Sequence, residues 1–245
     1  MPATHHADVI GSLLRPRYLF QARAALEAGQ LHAQEFKQIE DRAVDQVIAL
    51  QEGCGLDVIS DGEQRRFSFL DQLLGEIEGG TGKEGAAVRF HGQDSSEDWD
   101  WHPPVTITGK IRARRMMTLK EFSYARARAR RPVKVTLPSP LVLYGAWSPE
   151  LSTAAYRDPW EMFADAATLM RNEARELARL GCTYIQIDSP DLGTLVDPEN
   201  RQLRESLGHP ATQARTGRGG CAPDLVTALA RTTDRSEEKI GETPR

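Results

Sequence analysis

Cysteine is scarce in this chain, and no cysteine is spaced to share a metal with a neighbour. Three Cys stand among 245 residues, at positions 54, 182 and 221, and neither Cys-X-X-Cys nor His-X-Cys occurs. An odd number of scattered thiols excludes a disulfide-stapled miniprotein and points to a reducing compartment. Long apolar runs are also missing. Nothing approaches ~18 consecutive apolar residues, and the first residues lack the basic and apolar regions of a secretory leader. A cytoplasmic protein with no membrane partner is expected. Charge of one sign does not dominate: 31 Lys+Arg meet 35 Asp+Glu, a net charge of -4, which argues against nucleic acid as a partner. What is present is a hydrophobic share of 40%, enough for a real core in one large domain or two small ones.

To about residue 205, apolar extended runs alternate with helical patterns. Asp8–Ser12 (DVIGS), Leu56–Ser60 (LDVIS), Val105–Ile111, Val133–Leu137 (VKVTL) and Thr183–Asp188 (TYIQID) are strand candidates. A helix is expected from Gln34 to Gly53, with a left-handed glycine cap at its end. Another starts after Asp158, with Pro159 at its first position and Glu161 completing a capping box, and stops at Gly181. ALQEGCGLDVISD and LARLGCTYIQIDS repeat the same order of helix, Gly-Cys, buried strand and Asp. Such alternation implies an α/β fold with parallel crossovers, either a barrel or an open doubly wound sheet. Residues 78–104 read as a long insertion or loop. Residues 206–245 hold no aromatic residue and few large aliphatic ones, so a polar, largely unfolded tail is expected there, with a short helix around Asp224–Arg231 as the exception.

Several motifs dissolve on inspection. GGTGKEG at 79–85 has Ile77 and Glu84 where a phosphate loop needs Gly and Ser or Thr. The basic run from Lys110 to Lys134 reads as a solvated face. Cys54 and Cys182 read as small core residues. The strand ends are richer. Ser12 and Asp188 close strands, Asp61, Gly62 and Glu63 follow the second and Ser139 follows VKVTL, and in a parallel sheet those positions share the ligand-binding edge. With Lys134 they suit a small zwitterion, with carboxylates for an ammonium and N–H and hydroxyl groups for a carboxylate. Helix capping is the competing role for each of them.

ADVIGSLLRP at 7–16, DVISDGEQRR at 57–66, VKVTLPSPLVLYG at 133–145 and YIQIDSPDLG at 184–193 resemble, in order and spacing, the catalytic barrel of cobalamin-independent methionine synthases. The resemblance implies a (β/α)8 TIM barrel related to uroporphyrinogen decarboxylase. Here it would be incomplete, with about five recognisable βα units in residues 1–205 and a divergent tail in 206–245. The implied activity is S-methyl transfer from a methylated folate, or a corrinoid, to the zinc-bound thiol of homocysteine. Carried over by position, Ile10, Gly11 and Ser12 match the groups that bind the homocysteine carboxylate. Glu63 matches a substrate-binding Glu. Asp188 matches the Asp that receives the amino group, and it is the one catalytic position the resemblance carries into this chain.

The chain departs from the family in two places. Ser189 replaces the Glu of the family's Asp-Glu-Pro, and the family's zinc ligands, all downstream of that motif, have no counterpart. Zinc is thus expected for the family but has no ligands here, and the chain alone is expected to be inactive. A related coenzyme M-type alkyl-thiol transferase, a porphyrin decarboxylase-like enzyme using Lys110–Arg131, and a non-catalytic fragment that oligomerises through its open barrel edge remain as alternatives.

Overall fold

In the computed structural model, residues 7–208 are described except Phe69, His91 and 93–96. The expected tail from residue 209 onward, Cys221 and the helix around Asp224–Arg231 therefore lie outside the described residues. In chain order the helices are α1 (Arg17–Glu27), α2 (Ala33–Gly53), α3 (Asp71–Glu76), α4 (Leu119–Arg126), α5 (Pro159–Arg179), α6 (Asp191–Val196) and α7 (Pro198–Ser206). The strands are β1 (Ile77–Thr81), β2 (Val88–Phe90), β3 (Trp99–Trp101), β4 (Thr106–Ala113), β5 (Lys134–Pro138) and β6 (Tyr184–Asp188). The chain divides into two compact units.

The first unit comprises residues up to Glu76, Met116–Pro138 and Glu173–Asp188. Its sheet is parallel: β5 pairs β6 with Lys134 opposite Tyr184 and Pro138 opposite Asp188. Ile59 bridges Val133 in parallel on the other side of β5. The expected strand at 56–60 shortens to this single bridge for a clear reason. Its next backbone groups are taken by a side chain, because Gln51 of α2 donates to Ser60 O at 2.8 Å and accepts from Ser60 N at 2.9 Å. Gln51 is buried and stands in for a neighbouring strand.

α2 forms where its apolar spacing predicted it, burying Ala43, Val44, Val47 and Ile48 on one face. Its left-handed terminator is Gly55 (φ 78°) rather than Gly53, which is still helical. Gly181 (φ 87°) follows α5 as expected. The segment 8–12 is a correction. It is irregular backbone, because its carbonyls are held by side chains of β5 and β6 instead of by a ladder.

The second unit comprises Ile77–Arg115, Ser139–Asn172 and residues from Ser189 onward. It corrects two expectations. The strand candidate at 105–111 becomes β4, but it pairs antiparallel with β1. Residues 78–104 are not a plain loop, since β1, β2 and β3 run through them and β2 pairs β3 antiparallel. The ribbon was hidden because IEGGT carries no apolar alternation, and its register slips at a bulge where Gly79 takes φ 98°. Phe90 stacks on Trp99 at 4.7 Å between centroids. A 3₁₀ helix at Pro140–Ala146 is fully buried, and Tyr156 donates to Asp165 and accepts from Ile111 N.

Among the described residues, no helix is long and apolar enough to cross a membrane.

Candidate functional site

The site candidates of the first unit begin at a strained turn. After Ser60 the chain reverses through Gly62 (φ 65°) and Glu63 (φ 54°), the one described non-glycine residue with positive φ. Ser60 Oγ accepts from Gly62 N at 3.1 Å and Asp61 Oδ1 from Glu63 N at 2.9 Å, so two side chains hold the turn. A Cβ on Gly62 would meet Val47 Cγ2 at 3.1 Å, so the position needs glycine for both space and φ. Left-handed backbone at a residue like Glu costs about 1 kcal/mol or more and persists where surroundings over-determine it.

Here they do. The Glu63 side chain is 3% exposed and saturated. Its Oε2 accepts from Ser12 Oγ at 2.5 Å, and its Oε1 accepts from Thr136 Oγ1 at 2.6 Å and Arg66 Nη1 at 3.2 Å. Arg66 in turn donates to Glu121 of α4 at 3.1 Å. Burial alone would raise the Glu63 carboxyl, but the Arg66 guanidinium, the Ser12 and Thr136 hydroxyls and Arg15 outweigh it and hold it below the ordinary carboxylate range.

Asp188 closes β6 and has the opposite character. It is half-buried, and burial pushes its carboxyl up, with the Glu63 charge adding to the rise. The hydrogen bond from Gln186 and the cations Arg66 and Lys134 oppose the shift without cancelling it. Its Oδ1 accepts from Gln186 Nε2 at 2.5 Å, while Oδ2 takes no hydrogen bond among the described residues. A carboxylate disfavoured in its charged form and open on one oxygen is well set to receive a cation.

The Ile10-Gly11-Ser12 segment meets the same place. Gln186 Nε2 donates to Ile10 O at 2.7 Å, and Lys134 Nζ donates to Val9 O at 2.5 Å. Neither Gly11 N–H nor Ser12 N–H is used in a hydrogen bond among the described residues. Ser12, Glu63 and Asp188 are thus gathered in one unit: Ser12 is bonded to Glu63, and Asp188 is tied to Ile10 through Gln186. Two other strand-end candidates turn out to be structural. Ser139 Oγ accepts from Leu141 N and meets Ser189 Oγ at 2.9 Å, capping the 3₁₀ helix, and Asp61 serves the turn.

Sequence reasoning passed over Arg66, Thr136 and Gln186. Each is polar where an apolar residue or a solvated one was expected, and Gln186 in the middle of TYIQID was the visible signal. Three cations of the basic run are engaged within their own units. Lys110 lies over the Tyr156 ring at 3.9 Å and 3.7 Å from Asp165, Arg126 donates to Leu180 O, and Arg128 pairs with Asp45 at 2.8 Å.

Among the described residues, no group of three or more His, Cys, Asp or Glu is placed to hold a metal ion. Cys182 is buried, which pushes its thiol up and disfavours the thiolate a metal requires. Cys54 is exposed at the end of α2. The described residues do not fit the metal.

Known proteins share this arrangement of sequence. The family model described as "Cobalamin-independent synthase, Catalytic domain" matches residues 5–224. The chain is 28% identical over 211 residues to the uncharacterized protein YxjH of Bacillus subtilis (strain 168), covering 84% of this chain and 53% of that protein. It is 27% identical over 222 residues to the 5-methyltetrahydropteroyltriglutamate–homocysteine methyltransferase of Trichodesmium erythraeum (strain IMS101), covering 91% of this chain and 27% of the enzyme. The chain therefore spans about half the length of one relative and about a quarter of the other. Among solved structures, the putative vitamin-B12 independent methionine synthase of Listeria monocytogenes aligns with a TM-score of 0.58 at 27% identity, over 83% of this chain and 59% of that one. The fold class is α/β, an incomplete (β/α)8 TIM barrel, with which the parallel β5–β6 step and this likeness agree. The chain belongs to the family of cobalamin-independent synthase catalytic domains.

Proposed function

We propose that this chain is the amino-acid-binding part of a methionine-synthase-like S-methyltransferase, which moves a methyl group from a methylated folate or a corrinoid to the thiol of homocysteine. The observation that carries the reading is the gathering of an unpaired-amide segment (Gly11, Ser12) and a half-open carboxylate (Asp188) within one unit, joined through Gln186. The substrate carboxylate would lie on the Gly11 and Ser12 N–H groups. The substrate ammonium would lie on Asp188 Oδ2, and the thiol would extend away from both.

Glu63 acts in this scheme at one remove. With both oxygens occupied by its own chain, it places Ser12 and adds negative potential beside Asp188. No step is assigned to zinc, since the described side chains do not form its site, and the chain alone is proposed not to turn over. A cytoplasmic location and association through the outer edge of β6, where Ile187 is 37% exposed, complete the reading.

Calorimetry with homocysteine and with methionine tests it. Binding that disappears in Asp188→Ala supports the half-site. No heat with either ligand, and an Asp188→Ala variant indistinguishable from the wild type, would overturn it.

A further inference from the structure

Lys134 is a buried ammonium, 2% exposed, with three protons and no lone pair to offer. Three acceptors surround it: Asp8 Oδ2 at 2.8 Å, Val9 O at 2.5 Å and Gln186 Oε1 at 2.8 Å. A donor-only group facing the Gln186 amide fixes which way that amide points, because its oxygen must face Lys134. The two protons of Nε2 then have one disposition. One goes to Ile10 O at 2.7 Å and the other to Asp188 Oδ1 at 2.5 Å. Gln186 and Asp188 are two apart on β6 and share a face of the strand, so the second bond needs no distortion.

We infer that Gln186 is a positioning residue of the amino-acid half-site: oriented by Lys134, it ties the segment that takes the substrate carboxylate to the aspartate that takes the substrate ammonium, and it sets which oxygen of Asp188 is presented. The inference rests on the amino-acid reading of the site. Glutamine is the residue type the position requires. Glutamate would keep the contact with Lys134 but could not donate, methionine could do neither, and asparagine is a methylene too short to reach both partners.

The consequence is electrical as well as geometric. The charged groups facing Asp188 are Glu63 and Arg66 from the turn and Lys134 from β5, and the Gln186 N–H is the hydrogen bond that favours its ionised form. Losing that N–H makes Asp188 harder to ionise, so ammonium binding fails at a higher pH.

The test is homocysteine titration calorimetry between pH 5 and pH 8 on the full chain, with wild type, Asp188→Ala, Gln186→Glu and Gln186→Met. A bond to a charged acceptor is worth enough that both Gln186 variants should bind about tenfold more weakly at pH 7, with the pH midpoint of binding displaced upward. A Gln186 variant that binds like the wild type with an unmoved midpoint overturns the inference, even if Asp188→Ala abolishes binding. A wild type that binds nothing overturns the underlying reading instead. Should the variants fail to fold, NMR of the wild-type side-chain amides decides. The Gln186 amide protons should follow the Asp188 titration and move on addition of homocysteine, and protons that respond to neither overturn it.

Discussion

Ser12 and Glu63, 51 positions apart in the sequence, meet in a hydrogen bond of 2.5 Å between a partly exposed hydroxyl and a carboxylate that is 3% exposed. That bond is the link between the irregular first segment and the strained turn that follows Ile59. Ser12→Ala leaves Glu63 Oε2 buried without a donor. The expected cost is about 1.5–3 kcal/mol of stability, read as a lower midpoint in urea unfolding. An unchanged midpoint would mean that the segment is not docked on the turn in solution.

Asp188→Asn should separate function from stability. The folded-state carboxyl of Asp188 is raised above its ordinary value of 3.8, so its contribution to stability is fully present below that value and lost as pH rises through the raised one. The Asn variant should therefore unfold at a higher temperature than the wild type at pH 7 and lose that advantage at pH 3. Its homocysteine affinity should fall about thirtyfold or more, because the ammonium loses its counter-charge. Thermal melts at the two pH values, paired with calorimetry, check both halves.

Glu63 has the reverse sign. Its carboxyl is held below its ordinary value of 4.5, so the stability it contributes is present above that pH and lost as pH falls through the lowered folded-state value. Acid unfolding of Glu63→Gln should accordingly be shallower than that of the wild type below pH 4.5, although the variant starts from a lower stability at pH 7.

Arg66→Met removes the guanidinium shared by Glu63 and Glu121 and leaves one carboxylate deeply buried and another mostly so. Breaking a buried pair in this way costs about 3–5 kcal/mol, so the variant should be mostly unfolded at room temperature or melt far earlier. The double variant Arg66→Met/Glu63→Gln should recover part of the loss.

Metal content is the fifth measurement. Protein dialysed against chelator-free buffer after zinc loading is expected to retain less than one equivalent of tightly held zinc. A stoichiometric ion that survives dialysis would locate ligands outside the described residues.

The helices and the parallel step were legible in the residues themselves. α2 and α5 announce themselves by apolar spacing of three and four, and Asp158 and Gly181 mark the ends of α5, because helix formation depends on neighbours within a turn or two. Ser12, Glu63 and Asp188, placed by the sequence at or just after expected strand ends, could be nominated for the same reason: a parallel α/β pattern assigns those positions to one edge without knowledge of side-chain positions.

Tertiary structure alone decided the rest. Whether 8–12 is a strand depends on Lys134 and Gln186, more than a hundred positions away, which take the carbonyls a ladder would have used. Whether β4 runs parallel or antiparallel depends on β1, whose five residues carry no pattern to foretell it. The state of the two carboxylates is likewise invisible in DGE and IDS. Glu63 is held charged by Arg66 and two hydroxyls while Asp188 is disfavoured in its charged form, and that difference lies in long-range burial and pairing rather than in residue type. Local chemistry determined the elements and the residue types at their ends; pairing across the sheet, which no short stretch of sequence encodes, determined what those residues can do.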